Sequence, residues 1–377
     1  MTLNAIKQME IYARYNPQVV SLSQGIPYHP SDNAIRLAVI EAMQENRVDA
    51  YSDPQGILQL RQKISEMLLE GDMQYSDDEI LITAGATEGL MATILSLLTS
   101  QQDEIIIPTP SYSAYFKIVE SVRGKPVFLP LNENNGWNLD IFLLEKSITK
   151  KTAALLLCNP NNPTGSMYSK KELLEICVMA KKKNVMVILD EVYGNMLFDN
   201  NELYTPCVTD EFKETIIRVV SFSKDFSLTG WRVAFLHSHK KIIQKILPIH
   251  DALVNCAPVI SQYAAFAALE NRKRILKNNK AIYTENRELM KKYLDSLANY
   301  ISYQVPKGSY FFFPRLLKEQ SSIAFCLKLL EKEQIAVVPG SDFGPGGENH
   351  IRLCFGRSKK DIIKGMEGLT RYLVNSN

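Results

Sequence analysis

Long apolar runs are missing from this chain: no stretch reaches eighteen uninterrupted apolar residues, which excludes a membrane-spanning helix on length. Cysteine is scarce. The six present (Cys158, Cys177, Cys207, Cys256, Cys326 and Cys354) are dispersed, with no CxxC pair, so a disulfide-stapled secreted scaffold is excluded and reduced thiols are expected. Charge of one sign is lacking too, because 43 Lys and Arg against 41 Asp and Glu leave a formal +2. Such a balance offers no overall field to nucleic acid or an anionic membrane, so any bound anion needs local groups. The five histidines have no ligand spacing, and His237 and His239 read as polar punctuation after a strand rather than a metal site. The sequence after Met1, TLNAIKQMEIYARYN, is polar and amphipathic rather than a secretory leader, and a soluble cytoplasmic protein is expected. The basic clusters KKK (181–183) and RKR (272–274) are too short for a nucleic-acid stripe. Each is expected near the end of a helical stretch, where cations offset the helix dipole.

What the chain does have is the composition of a soluble globular protein, 46% apolar and 22% charged over 377 residues, enough for a large core. Short, β-rich, nearly continuous apolar runs recur at 80–83 (ILIT), 104–108 (EIIIP), 153–158 (AALLLC), 185–190 (VMVILD), 216–221 (IIRVVS) and 233–236 (VAFL). Strands covered on both faces have this character. Helical stretches lie between several of them, as at 87–98 and 169–183. This alternation predicts an α/β fold with a mostly parallel sheet between helices, and ligands at the carboxyl edge of the strands. After about residue 280 a charged amphipathic stretch leads to ISYQV, YFFFP, a helix, IAVVP and IRLCF, which reads as a smaller α+β unit. The expected division is a large domain over 45–280, with 1–44 and 281–377 forming an N-terminal segment and a small domain. GSDFGPGG (340–347) reads as a loop between the last strands.

The segment SFSKDFSLTGWR (221–232) carries the most chemistry. It opens at a strand end with two hydroxyls, a lysine at 224 and an arginine eight residues on, groups suited to a phosphate dianion. Lys224 is then either a counter-ion or an amine that condenses with a carbonyl, the second requiring its charge to be suppressed. In DEVYGNMLF, Asp190 ends a buried strand and Tyr193 follows three residues later. A carboxylate there either caps a helix or keeps a pyridine nitrogen protonated, and the phenol either packs or bonds a ring oxygen. CNPNNPTG (158–165) is a rigid turn that fixes its amide side chains. TAGATEGL (83–90) places small residues between a strand and a helix, where free N–H groups favour a phosphate.

AGATEGL, NPNNPTG, DEVY, SFSK with its distal arginine, and IRLCFG, in that order and spacing, resemble the class I and II aminotransferases of pyridoxal-phosphate (PLP) fold type I. YSDPQGILQLR (51–61) and LSQGIP (22–27) extend the resemblance over nearly the whole chain. The resemblance implies that Lys224 holds pyridoxal 5′-phosphate as a Schiff base and shuttles a proton between the substrate α-carbon and the cofactor C4′. It implies that Asp190 pairs with the pyridinium nitrogen, Tyr193 and Asn162 bond the ring oxygen, and Tyr112 stacks on the ring. The phosphate falls to Gly85, Ala86, Thr87, Ser221, Ser223 and Arg232, and to Tyr51 from a neighbouring subunit, so a homodimer with shared sites is implied. Arg352 matches the arginine that grips the substrate α-carboxylate, with the main chain at Gly25 and the amide of Asn162 beside it.

The implied activity is amino transfer from an L-amino acid to a 2-oxo acid by a ping-pong route. The alternative is another PLP reaction on the same fold, a β- or γ-elimination or a dedicated synthase. An effector-sensing transcription regulator would need a DNA-binding domain ahead of the resemblance, and none is expected. The chain departs from the family's GxPDF pattern, having Gly25-Ile26-Pro27-Tyr28-His29. It has no second matched arginine of a dicarboxylate specialist, and Tyr12, Ile26, Tyr28 and Phe313 can frame an apolar or aromatic side chain.

Overall fold

The computed structural model describes residues 5–375. A central sheet is built from β1 (Ile80–Thr83), β2 (Glu104–Thr109), β3 (Lys125–Pro130), β4 (Thr152–Cys158), β5 (Met186–Asp190), β6 (Ile216–Ser221) and β7 (Ala234–His237). Their spatial order is β1-β7-β6-β5-β4-β2-β3. β7 runs antiparallel to β1 and β6, and every other neighbouring pair is parallel.

Side chains of a strand alternate between its faces, so a sheet covered on both sides must be apolar at every position. Ile105, Ile107, Leu156, Ile188 and Ile217 enter one core, whereas Ile106, Leu155, Leu157, Val187 and Ile216 enter the other. Helix Ala86–Leu97 closes the first with Leu90, Ala92 and Ile94. Helix Lys170–Lys183 closes the second with Leu173, Ile176, Cys177 and Ala180. That helix starts at a reciprocal cap between Ser169 and Glu172, and Lys181, Lys182 and Lys183 lie in its last turn, as the dipole favours.

The other basic cluster differs from the sequence expectation. Arg272, Lys273 and Arg274 occupy the first turn of helix Arg272–Ser296, the end where cations are disfavoured. Side-chain pairing compensates: Arg272 bonds Glu70, and Arg274 makes two bonds to Asp32 at 2.7 and 3.0 Å. β3 was not expected from sequence either. It is an edge strand with one buried position among six and prolines at 126 and 130, which a central strand does not tolerate.

A third core lies over a small antiparallel sheet in which Ile351–Cys354 runs between Phe311–Phe312 and Val338–Pro339. Helices Arg272–Ser296, Ser322–Glu333 and Lys359–Asn375 cover it with Tyr283, Met290, Phe325, Leu329, Ile362 and Leu369. The N-terminal segment joins this core through Leu22 and through Val20–Ser21, which pairs in parallel with Ile335–Ala336. The segment then crosses to the central sheet at Gln24, Gly25 and Ile26, which line a cavity at its carboxyl edge.

Candidate active site

Parallel strands end together, so the residues just past β4, β5 and β6 share one rim with the start of the helix that follows β1. The cavity there has a volume of about 820 Å³. Cys158 ends β4, Asp190 ends β5 and Ser221 ends β6, and all three line it.

Asp190 is buried, with no cationic side chain in ion-pair reach among the described residues. Its Oδ2 accepts from the Tyr115 hydroxyl at 2.7 Å, and its Oδ1 accepts from the Val192 amide at 3.1 Å. Burial pushes the carboxyl up to about 6, and those two hydrogen bonds restrain the rise. Lys224 sits in the short helical turn Phe222–Asp225 directly after β6, and its Nζ donates to the Gly25 carbonyl at 2.6 Å. Burial pulls the amine down to about 8, with the guanidinium groups of Arg352 and Arg232 acting in the same direction. Burial therefore disfavours the charged form of both groups, and perturbed pairs of this kind in a cleft mark candidate functional sites.

One end of the cavity is built for an anion. Ala86 and Thr87 begin helix Ala86–Leu97 and offer amide groups at the positive end of its dipole. Gly85 precedes them at φ +82, and a Cβ there would meet the Arg232 guanidinium at 2.3 Å. Only glycine lets that cation lie against the turn. Ser221 and Ser223 complete the rim; the Ser221 hydroxyl accepts from the Ser223 amide at 3.1 Å. Arg232 itself adopts φ +54 and donates to the Thr229 carbonyl at 2.9 Å.

The other end is built around Arg352, in the middle strand of the small sheet and 2% exposed. Nη1 donates to the Asn162 side-chain oxygen at 2.9 Å and Nη2 to the Ser23 carbonyl at 2.5 Å, while buried Nε has no partner. The guanidinium lies over the Phe311 ring, 4.2 Å from its centroid. Among the described residues no carboxylate pairs with it. A buried cation held only by neutral groups is left without a compensating charge, which is unfavourable.

Most residues singled out in the sequence thus meet here: Gly25, Ala86, Thr87, Tyr112, Asn162, Asp190, Tyr193, Ser221, Ser223, Lys224, Arg232 and Arg352 all line the cavity. The Tyr193 hydroxyl has no hydrogen-bond partner among the described residues, and its ring stands edge-on to Phe311 at 5.8 Å. Tyr51 is 79% exposed and lies outside its own chain's cavity. Tyr12 and Tyr28, 45% and 43% exposed, do not line it either. Phe313 is buried elsewhere, stacked on His350 at 4.7 Å, and Phe311 takes the wall position instead. Sequence reasoning missed Tyr115, which bonds Asp190 across 75 positions. Its signal was the second tyrosine of SYSAY, three residues after Tyr112, whose carbonyl accepts from the Tyr115 amide at 3.0 Å.

Together the fold and these groups define an enzyme of PLP fold type I: a helix start with free amides, a buried carboxylate at a strand end, and a buried amine with a lowered pKa between them. A family described as aminotransferase class I and II matches residues 17–369. The aspartate aminotransferase of Pyrococcus abyssi is 32% identical over 360 residues, 94% of this chain and 92% of the relative. The aromatic-amino-acid aminotransferase 2 of Thermococcus litoralis is 30% identical over 360 residues, with the same shares. The crystal structure of an aromatic aminotransferase from Pyrococcus horikoshii superposes with a TM-score of 0.90 at 30% identity, covering 98% of this chain and 99% of that one.

The chain belongs to the class I and II aminotransferases. It is an enzyme of PLP-dependent transamination, and among its described residues no helix is long and apolar enough to cross a membrane.

Proposed function

We propose that this enzyme moves the amino group of an L-amino acid to a 2-oxo acid in two half-reactions, with Lys224 as the amine that holds the cofactor and carries the proton. Pyridoxal phosphate supplies a carbonyl carbon that takes up the amino group and a pyridine ring that withdraws electrons from the bond being broken. Asp190 would keep the ring nitrogen charged, because a carboxylate buried without a cation is itself stabilised by that charge. Tyr193 would donate its unengaged hydroxyl to the ring oxygen. Asn162 would add its amide nitrogen, since the amide oxygen is occupied by Arg352. Tyr112 would cover one ring face, and Gly85, Ala86, Thr87, Ser221, Ser223 and Arg232 would hold the phosphate.

The observation that carries the substrate assignment is Arg352, a buried guanidinium with an unpartnered Nε and no carboxylate. A planar fork bonds both oxygens of an α-carboxylate and so fixes the Cα–H bond relative to Lys224. Gly25 closes that end, because a Cβ there would strike the Phe311 ring at 2.5 Å. Lys224, with its amine near 8, can take the α-proton when neutral and return it when charged.

Mixing holoenzyme with single amino acids should convert the cofactor's absorbance to that of its amine form, and a 2-oxo acid should restore it. Ammonia release without that conversion, across a broad panel of amino acids, would replace this reading with an elimination. Arg352→Lys keeps the charge but loses the fork. We expect kcat/KM for the amino donor to fall about 100-fold, chiefly through KM, with cofactor affinity unchanged. Unchanged KM would remove Arg352 from the carboxylate site.

We also propose a homodimer in which Tyr51 completes the other copy's phosphate site. Its 79% exposure supports this, as do the half-exposed Leu37, Ile40 and Met43 along one nearby helix. We propose the division at 45–280 from the two separate sheets, although Ile35 and Val39 of helix Asn33–Gln44 and Val338 of the small sheet enter the core of the central sheet, and helix Arg272–Ser296 runs unbroken through residue 280. A cytoplasmic setting agrees with six cysteines that are all free and buried.

A further inference from the structure

Helix Arg272–Ser296 is polar over most of its length, and polar side chains of such a helix ordinarily face water. Three of its uncharged polar residues do not. Asn279, Tyr283 and Asn286 are 8%, 1% and 0% exposed, and their spacing of four and three residues puts them on one face. Burying an amide or phenol is unfavourable unless it is hydrogen-bonded, so their partners indicate what the face is for.

Asn279 Nδ2 donates to the Asp225 carbonyl at 2.8 Å, the residue directly after Lys224. The Tyr283 hydroxyl meets His29 Nε2 at 3.0 Å, and His29 Nδ1 meets the Ser227 hydroxyl at 3.0 Å. The Pro30 carbonyl, 3.3 Å from Nδ1, can only accept. The neutral ring therefore carries its proton on Nδ1, and Nε2 accepts from Tyr283. Both contacts act on the turn 224–227, where Ser227 holds φ +57. The same tyrosine packs on the Tyr310 ring at 5.7 Å, and Tyr310 donates at 2.9 Å to the Gly25 carbonyl that also receives Lys224 Nζ.

Asn286 Nδ2 donates to the Phe355 and Arg357 carbonyls at 3.0 and 2.8 Å, just beyond the strand that carries Arg352. One rigid helix face therefore holds the turn bearing the amine at two of its positions and the strand end below the guanidinium at the third.

We propose that Asn279, Tyr283 and Asn286 are positioning residues that fix the distance between Lys224 and Arg352, and hence between the transferred amine and the α-carboxylate. The inference rests on the roles proposed above for those two residues. None of the three touches the cavity, so their effect passes through the main chain. His29 extends the device to the N-terminal wall, which gives the histidine in place of the family's acidic–aromatic pattern a physical function. The arrangement predicts a division of effects that uniform destabilisation does not produce.

The experiment uses full-length holoenzyme of wild type, Asn279→Ala, Tyr283→Phe and Asn286→Ala, with kcat and KM for one amino donor. A pH titration of the bound cofactor's absorbance gives a second readout that does not depend on turnover. Asn279→Ala and Tyr283→Phe should lower kcat about three- to tenfold, the effect of one hydrogen bond, and shift the titration midpoint while KM stays within about twofold. Asn286→Ala should raise KM by a similar factor and leave the midpoint in place. Tyr283→Phe removes a single atom, so it still decides the matter if an asparagine variant fails to fold. Parallel changes in one parameter across the folded variants, or no change in any, would overturn the proposal. If wild type itself fails to convert its cofactor with any amino acid, the parent assignment falls instead.

Discussion

Replacing Lys224 with alanine is expected to lower transamination turnover by about 10²- to 10⁴-fold, the range spanned by a positioned proton carrier. The protein should remain folded. Burial holds the native amine down to about 8, so at neutral pH the charged side chain is a liability that alanine removes. The sign follows from the shift: a base whose folded value is depressed contributes stability only at high pH and loses it as pH falls through about 8. Lys224→Arg separates charge from chemistry. Arginine keeps a cation near the Gly25 carbonyl but is never deprotonated in proteins, so it should be as inactive as alanine. A small alkylamine in the buffer should partly restore Lys224→Ala and not Lys224→Arg. Borohydride reduction of the wild-type holoenzyme followed by peptide mapping should place the pyridoxyl group on position 224. Near-normal turnover in the alanine variant, or an adduct on another lysine, would sink the assignment.

The sheet was legible because strands covered on both faces are apolar at every position. The ends of β4, β5 and β6 fall within one residue of the runs at 153–158, 185–190 and 216–221. β3 escaped because only one of its six side chains is fully buried and two prolines punctuate it; only its place at the sheet edge makes them tolerable. The RKR cluster misled because a helix that starts one residue after another ends has no sequence gap to mark the change of dipole sign. Asn271 closes the first and opens the second. Phe313 and Phe311 could not be told apart in YFFFP, where no polar residue sets which faces point to the cavity. Tyr115 was invisible for a different reason: its one informative contact lies 75 residues away. Motif order located the cavity residues; contacts between distant segments such as Tyr283 to His29 exist only in the folded chain.

Asp190→Asn should produce opposite changes in activity and stability. The amide oxygen can still accept from Val192, and the amide nitrogen can donate to the Tyr115 oxygen, so both existing contacts keep a partner. What disappears is the negative charge. Without it the ring nitrogen loses the group that holds its proton, and turnover should fall about 10³-fold, the scale of removing a preorganised electrostatic partner. Stability of the cofactor-free protein should move the other way. Burial raises the carboxyl from 3.8 to about 6, so the folded state holds that proton more tightly than the unfolded chain does. The stability linked to it is complete below about pH 4 and lost as pH rises through about 6, a difference of about 3 kcal/mol by the shift. Urea unfolding of the apo-protein at pH 8 should therefore find Asp190→Asn more stable than wild type, with the advantage vanishing near pH 4. An activity loss without that pH-dependent gain would mean Asp190 ionises freely and that its burial does not tune it. A stability gain with full activity would mean that the cofactor nitrogen does not need the charge.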